Sequence, residues 1–116
     1  MNNFRKLSVW DKAVKLATNV YKKTEKFPKY EIYGLTSQIR RCTVSIGSNI
    51  AEGAGRESSK EFRHFLNIAT GSCYELETQL TISKNLGYIN KTEFNSLIRS
   101  VVEIQKMLHA LKKTLT

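Results

Sequence analysis

The sequence predicts an all-α protein, an antiparallel up-down-up-down four-helix bundle, and three observations predict it. Apolar residues recur at helical spacing through four stretches. The stretches are separated by short segments that hold the only proline, Pro28, and several of the six glycines. Two tetrads, Ser58-Ser-Lys-Glu61 and Asn90-Lys-Thr-Glu93, have the spacing of capping boxes that start helices. Short connections make successive helices antiparallel neighbours. A chain of 116 residues, 41% apolar and 25% charged, fits one domain over residues 1–116 with a real core. No repeat, low-complexity tract or domain boundary interrupts it.

The first helix is expected to follow Ser8 as its N-cap and to stop at Phe27-Pro28. Val9, Trp10, Ala13, Leu16, Ala17, Val20, Tyr21 and Phe27 make its apolar face, with Trp10 and Tyr21 read as core. The opposite face gathers Lys12, Lys15, Lys22, Lys23 and Lys26 into about 100° of arc. A connector with Tyr30 and Tyr33, including one short helical turn, leads to the second helix, which ends near Gly53.

That second helix has two packing faces. Leu35, Ile39, Cys42, Ile46 and Ile50 form a core stripe. Beside them Arg40, Val44, Gly47, Ala51 and Ala54 form a second arc, mostly small and apolar. A single bundle would leave Val44, Gly47, Ala51 and Ala54 partly exposed, so these four are the expected subunit interface of a homo-oligomer.

The third helix starts at the Ser58 box and runs to about Leu86, with Phe62, Phe65, Leu66, Ala69, Cys73, Leu76 and Leu80 at core spacing. Gly71 in its middle suggests close approach of another backbone, since a helical glycine costs roughly 1 kcal/mol against alanine. Gly87 is placed to stop it in a left-handed conformation. The fourth helix carries Phe94, Leu97, Ile98, Val101, Ile104, Leu108 and Leu111 towards the C-terminus.

Catalytic chemistry finds little footing. Gly53-Ala-Gly55 before a helix lacks a third glycine at Ser58 and any preceding strand, so capping is favoured over phosphate binding. His64 and His109 have no histidine or acidic cluster at metal-ligand spacing and read as surface residues. Glu75 and Glu77, two apart on a helix, are no paired-carboxylate site. Cys42 and Cys73 each fall in an apolar stripe and read as small core residues, reduced in a cytoplasmic protein. No metal or cofactor is expected. No apolar run approaches the length of a membrane span, and residues 1–8 carry no secretory apolar segment.

Charge is the outlier: 19 basic against 10 acidic residues, a net +9. Residues 1–28 carry +5, residues 88–116 carry +3, and residues 56–87 balance. The first and last helices are neighbours in a closed bundle, so the lysine arc, with Arg40 and Arg41 as additions, is the candidate surface for a polyanion. A merely solvated face weighs evenly against it. Tyr30 and Tyr33 could stack on bases or pack the connector.

A family resemblance rests on particular residues. These are Leu7-Ser-Val-Trp-Asp-Lys-Ala13, Phe27-Pro-Lys29, Tyr33-Gly-Leu-Thr-Ser-Gln-Ile-Arg-Arg41, Val44-Ser-Ile-Gly-Ser-Asn-Ile-Ala-Glu-Gly53, Gly55-Arg56 and Lys60-Glu-Phe62. Gly71-Ser72, Glu75-Leu-Glu-Thr-Gln-Leu80 and Leu86-Gly-Tyr88 continue it. Together they resemble the four-helix-bundle family of 23S rRNA intervening-sequence proteins, to which the accessory variability protein of diversity-generating retroelements is similar. The resemblance implies a cytoplasmic homopentameric barrel with basic surfaces, and retroelement relatives that bind nucleic acid and a reverse transcriptase. It brings no catalytic residues. Gly47 departs from the proline more usual there. Three functions stay open: a nucleic-acid-binding homo-oligomer, a scaffold for a protein partner such as a reverse transcriptase, and, last, an enzyme.

Overall fold

The computed structural model describes residues 3–116. It contains α1 (Ser8–Thr24), α2 (Leu35–Ala54), α3 (Ser59–Asn85) and α4 (Lys91–Lys113), with short 3-10 turns at Phe4–Lys6 and Lys29–Glu31. Each helix packs on the next, and α4 returns beside α1 to close the bundle. The molecule measures 44 × 24 × 20 Å, the long axis lying along the helices.

Local chemistry accounts for most boundaries. Asn90 accepts the Glu93 amide and the Glu93 carboxylate accepts the Asn90 amide, a complete capping box. Ser58 accepts from the Glu61 amide at 3.1 Å, so that half of the other box forms. At the end of α3, Gly87 takes φ 79°. Its amide donates to Lys84 O at 3.0 Å, and the Tyr88 amide donates to Ser83 O at 2.9 Å. This is a Schellman stop, and it aims Tyr88 back at the core.

The beginning of α1 departs from expectation. Ser8 is its first residue rather than its cap, and Leu7 occupies the cap position without a side-chain bond. The helix ends at Thr24, whose hydroxyl donates back to Val20 O at 2.8 Å. Residues 25–28 therefore belong to the connector.

Ile39, Ile46, Ile50, Leu66, Leu76, Leu80, Leu97, Ile104 and Leu108 are fully buried and fill the bundle axis. Each contributes about 1.5–3 kcal/mol by leaving water. Of the two aromatic residues of α1 read as core, only Tyr21 departs from that reading. Trp10 is half-buried and packs against the core, whereas Tyr21 is 42% exposed at the open groove between α1 and α2.

Two glycines have roles other than the expected ones. Gly53 lies within α2, and a Cβ there would come within 2.6 Å of Phe65 Cβ and 3.3 Å of Phe62 O. Only glycine lets the last turn of α2 meet the first turns of α3. Gly71 faces solvent, and an added Cβ would meet nothing within 4 Å, so the close approach expected there is absent. In urea denaturation Gly71→Ala should raise stability by about 0.5–1 kcal/mol. Gly53→Ala should lower it by about 1–3 kcal/mol through overpacking. A neutral Gly53→Ala would show that this contact is not tight.

Candidate nucleic-acid interface

The lysine arc of α1 does not stand free, because α4 lays carboxylates against it. Lys12 pairs with Glu103 at 3.3 Å, and Lys15 with Asp11 at 2.8 Å. Lys23 and Lys26 converge on Glu93 at 3.9 and 2.5 Å. Lys22 alone of the five has no carboxylate partner among the described residues. Solvated pairs of this kind contribute between nothing and about 1 kcal/mol and exchange partners readily. The Lys26 ammonium first, then the Asn90 amide, holds the Glu93 carboxyl below its usual range. A carboxyl depressed by folding stabilises above its unfolded pKa, and that contribution is lost as pH falls. Glu93→Ala should therefore lower the urea midpoint at pH 7, with the difference narrowing below about pH 4. A pH-independent difference would mean that only packing was lost.

The two arginines behave differently. Arg40 Nε donates to Thr24 Oγ1 at 2.9 Å and Nη2 to Tyr21 O at 3.2 Å. Its guanidinium lies over the Tyr21 ring, 4.7 Å from the centroid, so Arg40 finishes the C-terminus of α1. Arg41 is exposed. It borders a polar groove between α2 and α3 with Ser37, Gln38, Ser45, Ser72 and Glu75.

The connector is pinned by hydrogen bonds. Successive 3-10 bonds join Glu31 N to Pro28 O, Ile32 N to Lys29 O and Gly34 N to Glu31 O, at 2.9–3.1 Å. Glu31 Oε1 accepts the Leu35 amide at 3.1 Å and Oε2 accepts the Tyr88 hydroxyl at 2.9 Å. Tyr88 OH also meets Tyr30 OH at 3.2 Å. The bond to Tyr30, then burial, then the Glu31 carboxylate push the Tyr88 hydroxyl pKa up. Tyr30 and Tyr33 project from this turn, 79% and 94% exposed.

The expected subunit interface is only partly a surface. Ala54 is 1% exposed and belongs to the core, and Gly47 is covered by Ala13 and Val14 of α1. Val44, 44% exposed, and Ala51 border an apolar groove of about 590 Å³ between α1 and α2, with Trp10, Val14 and Tyr21. On the opposite flank α3 and α4 frame a groove of about 640 Å³ with Tyr74, Ile82 and Val102.

Cys42 and Cys73 are free and buried. Burial, then the Glu75 and Glu77 carboxylates respectively, pushes both thiols up to about 12. Cys42 Sγ donates to Ser72 O at 3.0 Å, a contact between α2 and α3. Ellman's reagent at pH 8 should find no reactive thiol in the native protein and two after denaturation. Rapid native labelling would contradict their enclosure. His64 and His109 are exposed, and no group of three or more potential ligands could hold a metal among the described residues. No helix described is long and apolar enough to cross a membrane.

Sequence reasoning found the lysines and missed their partners. The signal was present: α1 and α4 are antiparallel neighbours, so acids near the start and middle of α4 fall opposite Lys26 and Lys12. It also left Lys29 and Lys91 unremarked, both exposed at the same end of the bundle as Arg41.

Fold and surface together define a small basic four-helix bundle. The family model of the 23S rRNA-intervening sequence protein matches residues 5–110, and the chain belongs to that family. It is similar to the crystal structure of a protein of unknown function from the S23 ribosomal protein family of Bacteroides thetaiotaomicron VPI-5482. The two are 30% identical with a TM-score of 0.81, covering 90% of this chain and 98% of that one. No curated protein matches.

Proposed function

We propose that the protein is a non-enzymatic, cytoplasmic homo-oligomer that binds RNA or DNA through its basic surfaces with little sequence specificity. The carrying observation is the disposition of charge. Nineteen basic residues face ten acidic ones, and Asp11, Glu52, Glu93 and Glu103 are already engaged in ion pairs. Lys22, Lys29, Arg41 and Lys91 remain exposed with no ion-pair partner among the described residues. Lysine reaches phosphates as a point charge and reads no base edge, which favours binding tolerant of sequence.

Self-association is supported by two grooves on opposite flanks, an apolar one on α1–α2 and one on α3–α4 that mixes Tyr74, Ile82 and Val102 with Glu77, Thr78, Thr81 and Gln105. Dissimilar surfaces that fit head to tail close into a ring when the rotation permits. Five subunits is the number that the family resemblance suggests. The grooves also favour a second reading, an accessory scaffold for a polypeptide such as a reverse transcriptase, with the charge incidental.

Wild-type protein at tens of micromolar should scatter light as an oligomer, and Val44→Arg should shift it to monomer with unchanged helicity. Binding to a labelled duplex and a labelled single strand should weaken with salt, at a slope of about −0.7 to −0.9 per phosphate contacted. Reversing Lys22, Lys29 and Arg41 to glutamate should flatten that slope. A triple variant that binds like the parent at low salt would remove the nucleic-acid reading and leave the scaffold.

A further inference from the structure

The turn at Lys29–Glu31 and the residues after it show an uncommon surface. Tyr30, Ile32 and Tyr33 are 79%, 47% and 94% exposed within four residues. Isolated exposed apolar residues are ordinary and carry no message. Here three share one turn. That turn is held by three backbone bonds and by Glu31, which is anchored at both oxygens. Tyr30 is fixed through its hydroxyl, whereas Tyr33 has no hydrogen-bond or ring partner among the described residues. Tyr33 therefore supports neither the connector nor the core.

The surroundings select the occupant. Residues 22–41 and 84–93, which share this end of the bundle, hold eight basic side chains against three carboxylates. Two of the three are committed, Glu31 to the turn and Glu93 to α4 and its lysines. A π-face beside unneutralised cations suits a polyanion that carries exposed rings. A duplex keeps its base faces stacked inside, and only an unpaired strand can offer them to tyrosine. The turn is also rigid before binding, so little ordering cost is incurred when a base stacks on it.

Resting on the nucleic-acid reading above and sharpening it, we infer that the Tyr30–Tyr33 turn is a stacking platform for unpaired bases. Lys29 and Arg41 beside it take the flanking phosphates. The protein thereby prefers single strands to duplexes of the same length.

The test uses full-length protein, a labelled 20-nucleotide oligouridylate and a 20-base-pair RNA duplex. Tyr33→Ala should weaken single-strand binding about tenfold, the size of one lost stacked base. Duplex affinity should not change, and the single-strand salt slope should stay as in the parent, because no phosphate contact is lost. Tyr33→Phe keeps the ring and should bind like the parent. Equal single-strand binding by Tyr33→Ala and parent overturns the platform while leaving the basic surface intact. Equal losses on both probes, or a change of oligomer size, overturn it in favour of a subunit contact at Tyr33. If the parent binds neither probe, the nucleic-acid reading itself falls and the platform with it.

Discussion

The close approach of α2 to α3 is the constraint on which the rest of the structure depends. Gly53 removes a side chain where Phe62 and Phe65 arrive, and Ala54 is buried in the same turn. Further along, Ser45 Oγ meets Ser72 Oγ at 3.0 Å and the Cys42 thiol reaches Ser72 O. Small residues at these levels keep the two axes close, and Ile39, Ile46, Leu66 and Leu76 then fill the space towards α1 and α4. A larger side chain at Gly53 would separate the helices at one end and open the core along its length. The polar contacts add direction to that packing, because the Cys42 thiol and the Ser45 hydroxyl each have a partner on α3.

From this pair follow the two surfaces that bear on function. Covering α2 on one side with α3 leaves α1 to lie across its other side, and the shallow contact through Gly47 and Ala13 produces an apolar groove. Closure of the bundle brings α4 against α1. There Glu93 and Glu103 meet the lysines, and the positive character of α1 is reduced where it looked strongest. Surplus positive charge remains at the bundle ends, and at one of them the connector presents its tyrosines. Charge along one helix is a poor guide to the field when a neighbouring helix supplies the opposite sign.

The fold was legible because its signals are local. The capping tetrad at Asn90, the stop at Gly87 and the 3.6-residue stripe of Ile39, Cys42, Ile46 and Ile50 each state their structure within a few residues. Apart from the ends of α1, the misreadings required a tertiary neighbour. Gly71 and Gly53 look alike in sequence, yet only Gly53 has a backbone and ring pressed against it. Tyr21 has helical core spacing but borders the open groove between α1 and α2. Ala54 shares the arc of Val44 by its angle on the helix, yet Ala54 is buried and Val44 exposed. Arg40 and Arg41 are adjacent in sequence. Only the structure separates the one that finishes α1 from the one that faces solvent.

Hydrogen exchange of the full-length protein, with and without a single-stranded RNA, tests the central claim most directly. The central claim is that a rigid α2–α3 frame presents a cationic, aromatic bundle end to an unpaired strand. Amides of residues 39–50 and 66–80 should be the slowest in both samples, exchanging only on global unfolding. Added RNA should slow residues 26–41 and leave α4 beyond its first turns unchanged. Protection confined to the exposed face of α1 or to α3–α4, with residues 26–41 unaltered, would contradict the account.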